Sequence, residues 1–153
     1  LSKFLYVLEN ISNSIPIVFQ LHPRTEARLN EFNLTSQLEK LSDLIVIGPQ
    51  GYLDIIKLQE NSCLVLTDSA GIAEETTALQ IPCLTMRENT ERPVTIEQGS
   101  NQLVGCDPEY IIQATHTALN QTKKYSIPPL WDGHSAERLV DVIRNGIPRR
   151  MKT

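Results

Sequence analysis

Long hydrophobic runs are missing from this chain of 153 residues, and with them any segment approaching the roughly 20 apolar residues that cross a bilayer. A secretory leader is not legible either, because the opening segment has polar breaks and no small-residue cleavage site. Cysteine is scarce: Cys63, Cys83 and Cys106 are three in number and far apart. No CxxC or Cys/His spacing is present, which argues against a zinc site. Cys63 and Cys83 lie in apolar runs, and buried, reduced thiols of a cytoplasmic protein are the expected reading. Positive charge is in short supply as well. With 14 Lys+Arg against 18 Asp+Glu, the net charge of −4 offers neither a nucleic-acid footprint nor a basic patch for a membrane. The nearest thing to a basic run is Arg149-Arg150-Met151-Lys152, which reads as a solvated tail.

What is present is an alternation of apolar runs and helical periodicity. Phe4, Leu5, Val7, Leu8 and Ile11 recur at helical spacing over 2–12. Ile15 to Leu21 is a β-branched strand run ended by His22-Pro23-Arg24, with Thr25 placed to cap a helix reaching about Phe32. Leu44 to Ile47 forms a strand stopped by Gly48-Pro49, and a helix follows over 52–60. Leu64 to Thr67 is a third strand, turning through Asp68-Ser69-Ala70-Gly71 into a helix over 72–79. Cys83 to Met86 is a fourth, followed by a polar loop from Arg87 to Pro93, a helix near 94–98 and a fifth strand over 102–104. Pro108 opens a helix of about 12 residues, residues 124–134 are irregular, and Ser135 caps a last helix over 136–145, ended by Gly146 and Pro148. Continuous apolar strands alternating with helices specify one α/β domain, a Rossmann-like parallel sheet covered by helices on both faces. Such a sheet usually begins with a strand, whereas this pattern begins with a helix, so a first strand is expected just upstream of Leu1.

Ligands of such sheets bind at the C-terminal ends of the strands. There the sequence places His22 and Arg24, then Thr67-Asp68-Ser69, then Arg87 to Arg92. The strand–turn–helix at Thr67 to Ile72 is the sharpest feature. Free amides at a helix start attract an anion, Ser69 adds a hydroxyl, and Gly71 permits close approach. A plain helix cap by Asp68 or Ser69 accounts for the same residues. Glu74 and Glu75 fit the favourable charge of a first turn, or a carboxylate receiving ribose hydroxyls. His22 fits a structural histidine or one facing a cleft, and Arg92 a solvated or a functional loop charge. Tyr125, Trp131 and His134 read as packing and surface residues.

Five stretches, in order and naturally spaced, resemble the C-terminal domain of UDP-N-acetylglucosamine 2-epimerases: His22-Pro23-Arg24-Thr25, Gly51-Tyr52-Leu53-Asp54, Thr67 to Glu75, Arg87 to Pro93, and Asp132 to Arg138. The match spans about 20 to 145, and the His-Pro-Arg-Thr form is closer to the archaeal and capsule-type branch. The resemblance implies one half of a GT-B-type two-domain fold, with residues 1–153 as the C-terminal UDP-binding domain and the N-terminal catalytic half absent. It implies His22 as the histidine beside diphosphate and sugar, Ser69 with the amides of Ala70 and Gly71 as the diphosphate cradle, Glu75 as the ribose carboxylate, and Arg92 as the substrate-binding arginine. Ile55 falls where many members place an aromatic against the uracil, and Ala70 where glycine is more usual. The implied reaction eliminates UDP to 2-acetamidoglucal and adds it back with inversion at C2, without NAD, metal or other cofactor. The implied partners are UDP-N-acetylglucosamine and UDP, in a cytoplasmic, homodimeric parent, with neither nucleic acid nor membrane. Proton transfer at C2 needs carboxylates, which the family draws from the other domain, so the isolated chain is expected to bind UDP weakly and not to turn over. A hydrolysing epimerase, a GT-B glycosyltransferase and a non-catalytic UDP-sugar-binding module remain rival readings.

Overall fold

A computed structural model describes residues 1–122 and 124–146. The predicted Pro148 helix stop and the Arg149–Lys152 tail lie outside the described residues.

The first helix, α1 (Ser2–Ser12), carries its apolar residues on two adjoining stripes. Leu5 and Leu8 enter one cluster and Val7 and Ile11 another, all four at most 6% exposed. Burying each such side chain stabilises the fold by about 2 kcal/mol, so α1 is a wedge between two halves of the core. Strand β1 (Ile17–Gln20) pairs in parallel with β2 (Leu44–Ile47), Ile17 opposite Leu44 and Phe19 opposite Val46. Between them run α2 (Pro23–Glu31) and α3 (Thr35–Leu38). Asn33 takes a left-handed φ of 55°, which asparagine tolerates, and this turn swings Leu34 and Leu38 over the Leu5–Leu8 cluster. Four residues are too few for periodicity to reveal α3.

The chain then forms α4 (Tyr52–Glu60), β3 (Val65–Thr67), α5 (Ala70–Leu79), β4 (Cys83–Thr85), α6 (Val94–Glu97), β5 (Asn101–Leu103), α7 (Pro108–Asn120) and α8 (Ser135–Asn145). Strands β3, β4 and β5 form a second all-parallel sheet in that order. On one face Leu84 of β4 packs with Val7 and Ile11 of α1 and Ile111 and Ala114 of α7. On the other, β4 packs against α5, with Cys83 beside Thr76 and with Ala73, Thr76 and Thr77 of the helix buried. Period-two alternation sends neighbouring residues of one strand to opposite helical layers.

The expected fold class holds, with one refinement. The single sheet read from the sequence is two hydrogen-bonded sheets, β1–β2 and β3–β4–β5, with no ladder between β1 and β3. A shared cluster keeps them on one core, since Ile17 of β1 and Leu66 of β3 both pack against the α1–α7 residues. Helices cover both faces of the three-stranded sheet, whereas the paired Val18 and Ile45 of the other remain about half exposed.

Local starts and stops also differ by small amounts. His22, not Thr25, caps the second helix; α5 begins at Ala70, two residues early, and β5 one residue early; Ser135 belongs to the last helix with His134 at its cap. Of the three thiols, Cys83 is buried but Cys63 and Cys106 are exposed, which corrects the expectation of buried cysteines. Cys63 sits in the turn before β3, where the apolar run has not yet entered the sheet. Trp131 and Tyr125 are half-buried, and His134 is exposed, its Nδ1 3.0 Å from a Glu137 carboxylate oxygen.

Candidate functional site

Parallel strands present their C-terminal ends on one edge of the sheet, and the polar turns of β3 and β4 leave from that edge. The β3 turn is set from within. Thr67, 7% exposed, accepts the Ser69 amide on its hydroxyl at 3.0 Å, and this bond directs the chain into α5. Ser69 is the extended N-cap residue of α5, yet no side chain caps the helix. Neither alternative cap proposed from the sequence, Asp68 or Ser69, is realised. The amides of Ala70, Gly71 and Ile72 therefore have no partner among the described residues, and the Ser69 hydroxyl is uncommitted. By contrast, α2 is capped by His22 and α7 by Asp107, whose carboxylate accepts the Tyr110 amide at 2.9 Å.

Gly71 sharpens the point. A Cβ built there would meet nothing closer than the Ser69 hydroxyl at 3.8 Å, an ordinary contact. Its φ is not in the left-handed region, so the fold itself does not require glycine at this place. A glycine inside a helix costs about 0.5–1 kcal/mol against alanine, and here the cost leaves the amide row open to the outside.

The loop after β4 is tied to the same helix. The Arg92 guanidinium bonds the Glu74 carboxylate of α5 through Nε. Both side chains are substantially exposed, so this pair contributes only about 0–1 kcal/mol and parks the side chain rather than building the loop. The backbone is held by a buried relay instead. Thr85 donates to Asn101 Oδ1 at 2.6 Å, Asn101 Nδ2 donates to Thr95 at 3.1 Å, and Thr95 donates to the Arg92 carbonyl at 2.8 Å. All three relay residues are at most 6% exposed. Four polar partners of the site were thus not singled out from the sequence: Thr85, Thr95, Asn101 and Gln59.

Gln59 bears on Glu75. The half-buried Glu75 carboxylate accepts from Gln59 Nε2 at 2.7 Å, linking α5 to the end of α4. Ile55 lies half-buried on the first turn of α4, its amide on the Gly51 carbonyl at 3.1 Å. Ala70 is half-buried and Gly71 exposed. Ser69, Ala70, Gly71, Glu75 and Arg92 are thus gathered on or against α5. His22 ends β1 in the other sheet and is exposed. Its Nδ1 accepts the Arg24 amide at 3.2 Å, which places the proton of the neutral ring on Nε2, a donor with no partner among the described residues. No hydrogen bond joins His22 to α5 among the described residues. The described residues contain no group of three or more His, Cys, Asp or Glu suited to a metal.

Fold and site together define a Rossmann-like α/β domain with an open, amide-lined helix start at its strand ends. Residues 1–144 match the family model described as UDP-N-acetylglucosamine 2-epimerase, and the chain belongs to that family. It is 44% identical over 130 residues to the UDP-N-acetylglucosamine 2-epimerase of Methanocaldococcus jannaschii, covering 85% of this chain and 35% of the relative. It is 41% identical over 145 residues to that of Methanococcus maripaludis, covering 94% and 39%. The structure superposes on the M. jannaschii UDP-GlcNAc 2-epimerase in complex with UDP-GlcNAc and UDP with a TM-score of 0.81, at 41% identity, covering 95% of this chain and 39% of that one. The chain therefore spans less than half the length of these relatives, and it corresponds in fold to one half of a GT-B-like architecture. Among the described residues no helix is long and apolar enough to cross a membrane.

Proposed function

We propose that this chain is the nucleotide-holding part of an enzyme that interconverts UDP-N-acetylglucosamine and UDP-N-acetylmannosamine by eliminating UDP and adding it back at C2. One observation carries the reading. Among the described residues, the start of α5 leaves three amides and a serine hydroxyl unpartnered, beside a glycine the fold does not need, with Arg92 attached to the same helix. A pyrophosphate supplies the missing acceptors: its oxygens take the amides of Ala70 and Gly71 and the Ser69 hydroxyl, and Arg92 leaves Glu74 to meet its charge. Glu75 accepts the ribose hydroxyls, Ile55 flanks the base, and His22 donates Nε2–H at the sugar–phosphate junction. As UDP departs, charge builds on the diphosphate, and donors already aimed at it stabilise the transition state without reorganising.

Two parts of the enzyme lie elsewhere in this reading. A further parallel strand fits between β1 and β3, where two sheets share one core without a ladder. The carboxylates that remove and return the C2 proton come from a second, N-terminal half of a cytoplasmic parent. The isolated chain then binds UDP weakly and does not turn over the sugar nucleotide.

Calorimetry with UDP tests the cradle. Removing the Ser69 hydroxyl or the Arg92 charge as Ser69→Ala and Arg92→Ala should each weaken UDP by about 10-fold, the worth of a charge-assisted hydrogen bond. Unchanged affinity in both variants refutes the reading. Product analysis of the full-length protein separates epimerisation from hydrolysis, the latter releasing free N-acetylmannosamine.

A further inference from the structure

Glu74 and Glu75 are neighbours on α5, yet their surroundings assign them different partners. Glu74 meets the guanidinium of Arg92, whereas Glu75 meets a neutral amide, Gln59. Gln59 is only 5% exposed, near the C-terminal end of α4. A carboxylate only accepts, so the amide has a single sensible orientation: Nε2 toward Glu75 and Oε1 away from it. In that orientation Oε1 is buried and has no partner among the described residues. A buried acceptor left unmade is a cost to folding, and a methionine of similar length would avoid it.

From this we infer that Gln59 is a positioning residue, holding the Glu75 carboxylate toward the vicinal hydroxyls of the nucleoside. The inference rests on the UDP reading above and extends it. Two features of glutamine suit the task. Its N–H fixes one carboxylate oxygen, Oε2, and leaves Oε1 of Glu75 without a partner among the described residues, ready to accept. Being neutral, it also leaves the full negative charge on Glu75, where a lysine or arginine would offset it and blunt its pull on hydroxyl protons. Without Gln59, the flexible Glu75 side chain would have no anchor and would have to be ordered by the ligand itself.

The test compares UDP, 2′,3′-dideoxy-UDP and inorganic pyrophosphate on this chain as wild type, Gln59→Met, Gln59→Leu, Glu75→Gln, and Gln59→Met with Glu75→Gln. The wild type is expected to prefer UDP over the dideoxy compound. Gln59→Met should cut that preference by about five-fold, the worth of one hydrogen bond, while its affinity for the dideoxy compound and pyrophosphate stays within about two-fold. The double variant should bind UDP no more weakly than Glu75→Gln alone, because both changes act through one carboxylate. The Tm of Gln59→Met should not fall below that of the wild type, and Gln59→Leu serves if that variant does not fold. An equal loss for all three ligands, an additive loss in the double variant, or an unaltered preference overturns the proposal while sparing the UDP site. A wild type that binds none of the ligands instead refutes the function on which it stands.

Discussion

Asn101 is the most informative single residue to remove. It sits on β5, 6% exposed, and connects Thr85 of β4 to Thr95 of α6, which in turn holds the Arg92 carbonyl. Asn101→Ala deletes two hydrogen bonds, each worth about 1 kcal/mol net, and strands the Thr85 hydroxyl, which is 2% exposed, at a further cost of about 1 kcal/mol or more. The sum is about 3 kcal/mol. For a chain of this size each kcal/mol lowers Tm by about 2–4 °C, so a fall of about 6–12 °C is expected in a thermal melt followed by circular dichroism. Function should follow the loop. Titrated with UDP well below its melting point, Asn101→Ala should bind no better than Arg92→Ala, because the arginine has lost its fixed base. Asn101→Asp separates the two ends of the relay. It keeps an acceptor for Thr85 but puts a carboxylate against the Thr95 hydroxyl, drawing that proton away from the Arg92 carbonyl. A Tm within about 1 °C of wild type for Asn101→Ala would refute the relay's energetic role, given the magnitudes above. Normal UDP affinity at normal folding would refute its link to Arg92.

Gly99→Ala should be strongly destabilising, since a Cβ there would stand 2.5 Å from both the Thr95 carbonyl and the Thr77 methyl, and a loss of about 1–3 kcal/mol from overpacking is expected in urea titrations. Iodoacetamide at neutral pH should label Cys63 and Cys106 in the native chain and spare Cys83, as read by intact mass. Burial pushes the Cys83 thiol above its ordinary range against the hydroxyls of Thr76 and Thr85, which pull it down. With the folded value raised, the unfolded chain loses this proton first, so stability is fully present below the unfolded pKa and declines as pH rises through it toward the folded value. A melt series into alkaline pH should show that decline reduced in Cys83→Ala.

How much of this was legible beforehand depended on the range of the interaction. A short strand such as Cys83 to Thr85 announces itself as an uninterrupted run because the sheet is dry on both faces there. The Thr67 to Gly71 turn was legible because its small polar residues act on their own neighbours: Thr67 and Ser69 are two apart. The bond from Gln59 to Glu75 crosses 16 positions, as does that from Thr85 to Asn101, and neither leaves a local mark. The pairing of Glu74 with Arg92 was hidden likewise, since the sequence offered two carboxylates and several arginines without saying which would meet. The break between the sheets was not written in β1 or β3 at all, because pairing is a property of two edges and not of one run.

The two layers that clasp β4 are made of different stuff, and they should age differently under mutation. Toward α7 the contacts are oily, Leu84 against Ile111 and Ala114, where one aliphatic group can replace another if the volume is kept. Toward α5 the interior is threaded with hydroxyls, Thr76, Thr77, Thr85 and Thr95, every one of them donating to a carbonyl or amide oxygen. Valine has nearly the same shape as threonine but cannot donate, so the second layer forgives little. Random variation sampled for folding alone would therefore scatter over the greasy side of the sheet and fall away on the side that carries the loop.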